Sequence, residues 1–501
     1  MKISVYKNSV YIVVFLVVAL CNVKAMFAFS PERYAENSVL AEGKWVKIEI
    51  SETGMQFISN ADLQKWGFTE PSKVNVYGYG GRMISEVLNE MHPDDLPMQP
   101  VCRTEKGIVF YGVNTISWKN SGHSAVPYVQ QQNIYSVGSY YFLSDREVSP
   151  KEIEQQTTPL VVEGTRIATF VERLMHEKEQ YAISNTGSML AGEDFRTNTS
   201  QTFSFNLPGQ VNDSVNILVD FVAKTTNGQS SLTFKANSQT VNATSSDKIA
   251  SIPNSDTHFK QTSTYKRLVG INDRLDLQIN YSSSGVLYMA RLNYITVNYK
   301  KALRLIDGKL LFHYNVLNNH EDRYFEIEGC GATTEIWDVT IPERPQRVNF
   351  EFEGDKCRFS PEGFGEKEYV AFNPHQISKT PKYIGSISNQ NLHAMPTPDM
   401  VIITLPEYYS QARRVAQLHE EVDEMVVYVI NQQEIFNEFS SGVPDFSAFR
   451  KALKMWYDRS TEERKLGYCI LFGRPSYDNR MITEIVRSSG YNRMLVWQSK
   501  D

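Results

Sequence analysis

The chain has 501 residues, 41% of them apolar and 22% charged, with a formal net charge of −6. At roughly 150 residues per domain, this length predicts about three or four domains, each able to bury a core of its own. The mild acidity, with no lysine- or arginine-rich run, excludes an electrostatic nucleic-acid binder, which carries a basic stripe.

In chain order, the first predicted element is a targeting segment. Lys2 and Lys7 form a positive start, and Val10 to Cys21 is an apolar run. A run of about a dozen residues falls short of the ~20 needed to span a bilayer and fits a secretory signal peptide over 1–28. Ala25 and Ala28 offer cleavage sites, while Cys21 follows Leu20, where a lipoprotein site would want a small residue. The mature chain is therefore expected to be exported and to carry no transmembrane helix.

Val46, Ile48 and Ile50 alternate with other residues in a period-2 strand over 45–50. A short helix capped by Asn60 and stopped by Gly67 follows. Strand-like runs at 74–81, 108–111 and 140–143 complete an N-terminal β-rich domain over 29–150. The polar stretch 151–165 reads as a linker. Runs around 203–207, 215–222, 231–234, 275–279 and 294–297, separated by Asn, Ser and Gly, predict a β-sandwich or jelly-roll-like domain over 166–305. A third β-rich region covers 306–376. From 377 the pattern changes. Asp399–Leu405 and Met425–Ile430 are continuous apolar strands, the signature of a parallel sheet. Helices lie between the strands, the first with Tyr409, Ala412, Val415, Ala416 and His419 on one face, the second capped by Asp445 with Phe446, Phe449, Leu453, Trp456 and Tyr457 on one face. A third strand at 466–472 gives β-α-β-α-β, the start of a doubly wound sheet that is incomplete on its own. Beyond it, Met494–Trp497 is an apolar run with nothing following to cover it.

The chemistry-bearing residues have modest readings. Of the five cysteines, Cys330 and Cys357 flank β-like runs and form the plausible disulfide pair, with free buried thiols as the alternative. Cys469 reads as a buried structural thiol, since a nucleophile needs exposure and a lowered pKa. His419 reads as a packed histidine. His176-Glu177 and His92-Pro-Asp-Asp95 are weak metal candidates, more simply solvated loops. Asp478 and Asn479 read as a polar turn, which leaves calcium open as an ion there. Tyr77 and Tyr79 among glycines form either a tight turn or a sugar-stacking platform, and Trp337-Asp338 a strand-end packing pair. No catalytic and no cofactor-binding residue is assigned, and the metal question stays open.

Several stretches together resemble the type IX secretion system sortases of the gingipain-type cysteine peptidases: Pro71–Gly81, His176–Glu179 with Gly192–Phe195, Trp337–Thr340 with Pro345–Val348, Asn389–Ala394, Glu434–Gly442 with Pro444-Asp445, and Ser476–Arg480. The resemblance runs in order along nearly the whole mature chain. It implies β-rich N-terminal domains followed by a caspase-like α/β peptidase domain, of which 377–501 is the first part. Such enzymes remove a C-terminal sorting domain from secreted cargo and attach the cargo to surface lipopolysaccharide. The implied partners are that cargo and outer-membrane components of the secretion system, at the cell surface. The family's catalytic His and Cys lie on later strands, so this sequence is expected to be an N-terminal portion, inactive alone. It also departs from the family in the loop after the third strand, where Gly473-Arg474-Pro475-Ser476 replaces the usual Gly-Asp-Gly-Ser. A second function class stays open: a non-catalytic exported β-sandwich protein that binds carbohydrate or a protein partner.

Overall fold

A computed structural model describes residues 31–498, except 88–91, 124–125, 158–159, 161, 184–185, 254–258 and 317–321. The expected signal peptide lies outside the described residues.

Val46, Ile48 and Ile50 are buried, as their alternation requires. Their strand, Trp45–Ile50, pairs antiparallel with Ser139–Ser144 on one side and Lys382–Ile387 on the other. A smaller sheet of Gly54–Ser59, Gly107–Gly112 and Cys102–Thr104 packs with it around Ile58, Phe110, Tyr141 and Leu143. The short helix is Asn60–Lys65, and its cap is Ser59 rather than Asn60: the Ser59 hydroxyl accepts from Asp62 N–H at 3.0 Å.

The sandwich sets the sheet Thr169–Glu177, Val286–Ala302, Gln210–Thr226, Lys260–Val269 against one built from Ser200–Asn206, Arg274–Ser283 and Ser230–Ala236. Val215, Ile217, Val219 and Phe221 face the shared core. The alternate residues Leu218, Asp220 and Val222 are buried too. The outer face is covered as well: a hairpin of the first unit, Ile116–Asn120 with Tyr128–Gln132, lies over it. Val126 and Val129 pack on Leu218, and Thr296 donates to Gln130 Oε1 at 2.7 Å.

A third β assembly has its core at Phe312, Phe325, Ile336, Phe359 and Tyr369, with Cys330 and Cys357 inside it. Both are free buried thiols rather than a disulfide, and Cys330 Sγ donates to Ile327 O at 3.5 Å. Trp337 is buried with its ring edge-on to Phe372 at 5.2 Å.

The last unit is α/β. Met400–Thr404 is the central strand, paired in parallel with Val427–Asn431 and Tyr468–Phe472. It is buried along its whole length, which is why its sequence is continuously apolar. Helix Tyr409–Val422 covers one face. Helix Phe446–Asp458 covers the other, with Asp445 Oδ1 capping it from Ser447 N–H at 2.8 Å. A further helix, Gln432–Phe439, is not among the sequence expectations. Asn431 and Glu434 form its capping box, a signal present in the sequence. Nor is the run at 494–497 uncovered: Met494 and Leu495 are buried in the α/β core, and Trp497 alone stands 53% exposed.

Candidate functional site

In an open parallel sheet, chemistry gathers at the carboxyl ends of the strands. Here those ends are Thr404, Asn431 and Phe472. Thr404 donates its hydroxyl to Phe472 O at 2.9 Å, and Asn431 caps a helix. The loop after Phe472 does not stand free. Asp478 Oδ2 accepts from Thr483 N–H and Oγ1–H, both at 2.7 Å. Asn479 exchanges two hydrogen bonds with the backbone of Val496. Arg480 is buried and grips Glu179 with both Nη atoms at 2.6 Å. The loop is thus an anchor onto the sandwich domain. The approach is close enough that a Cβ on Gly187 would stand 1.6 Å from Tyr477 O. Glu177, beside this pair, has its carboxyl pushed up to about 8 by burial, with Glu179 adding to the effect.

Cys469 differs from its expectation. It lies on the outermost of the three strands and its side chain is exposed, because nothing among the described residues pairs on that strand's far side. The apolar walls around it still desolvate the thiol and push it up to about 11, the opposite of activation. His419 is likewise not a core residue: it is half-buried at the end of its helix, with Nδ1 2.7 Å from Asp423 Oδ2. His176 Nε2 meets Glu193 at 2.9 Å. Among the described residues no group of three or more His, Cys, Asp or Glu is placed to hold a metal ion.

The strongest constellation joins stretches far apart in the sequence. His393 is fully buried, with Nδ1 2.5 Å from Glu438 Oε2 and Nε2 3.3 Å from Asp94 Oδ2, and its ring stacks on Phe439. The Asp94 contact is an ion-pair distance without hydrogen-bond alignment. Burial opposes a charged imidazole, but Asp94 and Glu438 outweigh it and hold His393 up at about 9. Glu438 also accepts from Gln390 Nε2 and Leu392 N–H. Asp94 accepts from Ala35 N–H, and Asp95 from Val39 N–H and Ser38 Oγ. The His92–Asp95 segment is therefore no solvated loop: it ties the start of the described chain to the α/β unit. Lys451, lowered to about 8 by burial, donates to Pro93 O and Phe439 O.

Next to this clamp, the loop 439–445 plugs into the first β unit. Tyr79 donates its hydroxyl to Phe439 O at 3.0 Å and its N–H to Ser441 Oγ at 3.1 Å. Lys47, lowered to about 7 by burial, donates to Gly442 O at 2.7 Å. A Cβ on Gly78 would meet Ser441 Oγ at 2.4 Å, so glycine serves close approach here as well as backbone conformation. Tyr77 and Tyr79 are buried and form no exposed stacking platform. Two of the quoted stretches, 71–81 and 434–445, thus face each other across one junction.

Between helix Phe446–Asp458 and strand Tyr468–Phe472 runs an open apolar groove of about 770 Å³, lined by Phe449, Leu453, Tyr457, Tyr468, Cys469 and Leu471 among others.

Residues 393–498 match the model of Peptidase family C25. The chain is similar to PorU from Porphyromonas gingivalis, solved as a dimeric latent form, with 27% identity and a TM-score of 0.81 over 93% of this chain and 45% of that one. The chain thus spans less than half the length of that protein, and it is the N-terminal portion that fits. A Paenibacillus cycloisomaltooligosaccharide glucanotransferase (8% identity, TM-score 0.16, 44% of this chain and 47% of that one) carries no argument. Neither does an Arthrobacter globiformis isomalto-dextranase (11%, 0.18, 52% and 36%). No curated protein matches.

Proposed function

We propose that this chain is the N-terminal, scaffold-forming part of a gingipain-type sortase of a type IX secretion system. In its complete form such a sortase cleaves the C-terminal sorting domain from exported cargo and attaches the cargo to surface lipopolysaccharide. The observation that carries the proposal is the open side of the α/β sheet. Among the described residues Tyr468–Phe472 pairs on one side only, and the apolar groove beside it is wide and uncovered. An exposed strand edge next to apolar surface is a liability unless something pairs with it, and further strands of a C25-type sheet fit it. A Cys/His peptidase needs thiolate and imidazole at neighbouring strand ends. In this account those added strands bring both, and Cys469 is a wall of the groove. The β units hold the sheet through the His393 and Arg480 clamps and present it at the cell surface, next to outer-membrane components of the secretion machinery.

The test is reconstitution. The purified chain is expected to leave intact a peptide spanning the junction between a cargo protein and its sorting domain. Adding a polypeptide that carries the remaining C25 strands produces cleavage, and Leu471→Glu in the groove removes that gain. Cleavage by the chain alone, abolished by Cys469→Ser, would overturn the proposal.

A further inference from the structure

The junction between the loop 474–487 and the sandwich domain sets two carboxylates around one guanidinium. On the sandwich side, Glu177, Tyr294 and Asp220 stand directly opposite one another across neighbouring strands. They lie on the face that the first unit's hairpin covers, where Thr296 meets Gln130. Asp220 is buried but well supplied: it accepts from Ser263 Oγ at 2.6 Å, and from Gln261 Nε2 and Asn293 Nδ2, both at 2.8 Å. Glu177 is not. Its Oε2 is buried without a donor, and the cation that acts on it, Arg480, is engaged by Glu179. The Arg480 side chain is 1% exposed. Both Nη atoms fork onto Glu179, Nη1 also reaches Asn133 O at 3.4 Å, and Nε is buried with no acceptor. The other charged groups nearby are occupied. Asp478 turns inward onto Thr483, Glu484 pairs with Arg487, and His176 pairs with Glu193 beside Phe203 of the sandwich core. Burial, with Glu179 adding to it, pushes the Glu177 carboxyl up to about 8. Near neutrality it therefore keeps its proton, and of this pair only Glu179 presents a charge to Arg480.

We propose that Glu177 is a proton-operated latch: protonated, it lets the loop 474–487 dock on the sandwich domain, and ionised, it drives the loop off. The proton goes to water. The carboxylate left behind is a second negative charge in a junction whose guanidinium already holds one, and an uncompensated buried charge is costly. The dock has no slack in which to absorb it. Gly187 N–H donates to Gln498 Oε1 at 3.1 Å, and a Cβ on Gly187 would stand 1.6 Å from Tyr477 O. Separation of the loop relieves the charge by giving both glutamates to solvent. The sign follows from linkage. The docked state raises the acid from 4.5 to about 8, so docking is strongest below 4.5, weakens about tenfold per pH unit up to about 8, and changes no further above it. The loop starts at the carboxyl end of Tyr468–Phe472, so the latch makes the position of that strand end depend on pH. It does not rest on the sortase proposal, since each group it uses lies in this chain and outside the apolar groove.

Hydrogen exchange of the full chain from about pH 5.5 to about pH 9 tests this, read at the Gly187 amide and over 474–487 as protection factors, which removes the intrinsic pH dependence of exchange. In the wild type, protection is expected to fall about tenfold per pH unit up to about pH 8 and then level off. Glu177→Gln has the same shape and no charge to gain, so it keeps the low-pH protection across the whole range. Unchanged protection over Gln210–Thr226 shows that the sandwich stays folded in the variant. Wild-type protection that does not vary with pH would overturn the proposal without reference to any variant. So would a folded Glu177→Gln that follows the wild-type curve.

Discussion

Glu438→Gln tests how the α/β unit is held. The substitution keeps the shape of the side chain but removes the charge that faces His393 at 2.5 Å inside a fully buried pair. Removing one partner of a buried pair costs about 3–5 kcal/mol, because the other charge is left uncompensated. The pH dependence makes the test specific. His393 in the folded chain titrates near 9, raised above the 6.5 of a free imidazole. A raised value means the stabilisation is fully present below about 6.5 and is lost as pH rises through about 9. A shift of that size corresponds to about 3 kcal/mol. Lys451 and Lys47, lowered by burial to about 8 and about 7, act in the opposite sense: they penalise the folded state when charged and cease to do so as pH rises. The difference between wild type and Glu438→Gln cancels those lysine terms to first order. Because the chain has several units, the readout is pulse proteolysis in urea, following the fragments that contain residues 393–498. The difference is expected to be about 3 kcal/mol at pH 6 and to shrink towards pH 9.5. A difference below about 1 kcal/mol at pH 6, or one that does not change with pH, would refute the clamp, since exposed pairs give values of that size.

Arg480→Met, which leaves Glu179 unpaired at a buried junction, should destabilise the 474–487 loop by about 3 kcal/mol and open it to proteolysis first. Gly187→Ala should free the same loop, since its Cβ has no room beside Tyr477 O. Its proteolysis pattern should therefore match that of Arg480→Met. Cys469, accessible but with its thiol at about 11, should react with maleimide at pH 8 about a hundredfold more slowly than free cysteine, accelerating about tenfold per pH unit. In the folded protein, Cys330 and Cys357 should not react at all.

The architecture was legible where burial follows a simple period. One-sided strands alternate, as at 45–50, and Met400–Thr404, buried on both faces, is continuously apolar. Legibility failed where a second layer covers a face. Residues 218 and 222 give no hint that separate segments lie over them, the hairpin on Leu218 and Ile183 with Ala191 on Val222, and helix 432–439 is not among the expected elements although Asn431 and Glu434 announce its start. The chemistry was harder still to read. In the sequence Asp94 reads only as part of a weak metal candidate, and His393 and Glu438 only as members of family-like stretches, because their meaning lies in a contact across three separated segments. Cys469 and His419 read as buried residues in the sequence because their elements are apolar. Strand 468–472 is an edge, however, and His419 sits where its helix ends at the surface. The resemblance gave the order of the units without the contacts between them.

Hydrogen exchange at the backbone amides of Tyr468–Phe472 tests the open-edge account most directly. In the isolated chain, the amides on the side away from Met400–Thr404 should exchange within seconds to minutes, while those bonded to the central strand stay protected. Adding the polypeptide that carries the remaining C25 strands should slow the exposed set by orders of magnitude. Exposed-side amides already protected in the isolated chain, or unchanged on addition, would contradict the claim that this edge receives the rest of a peptidase sheet.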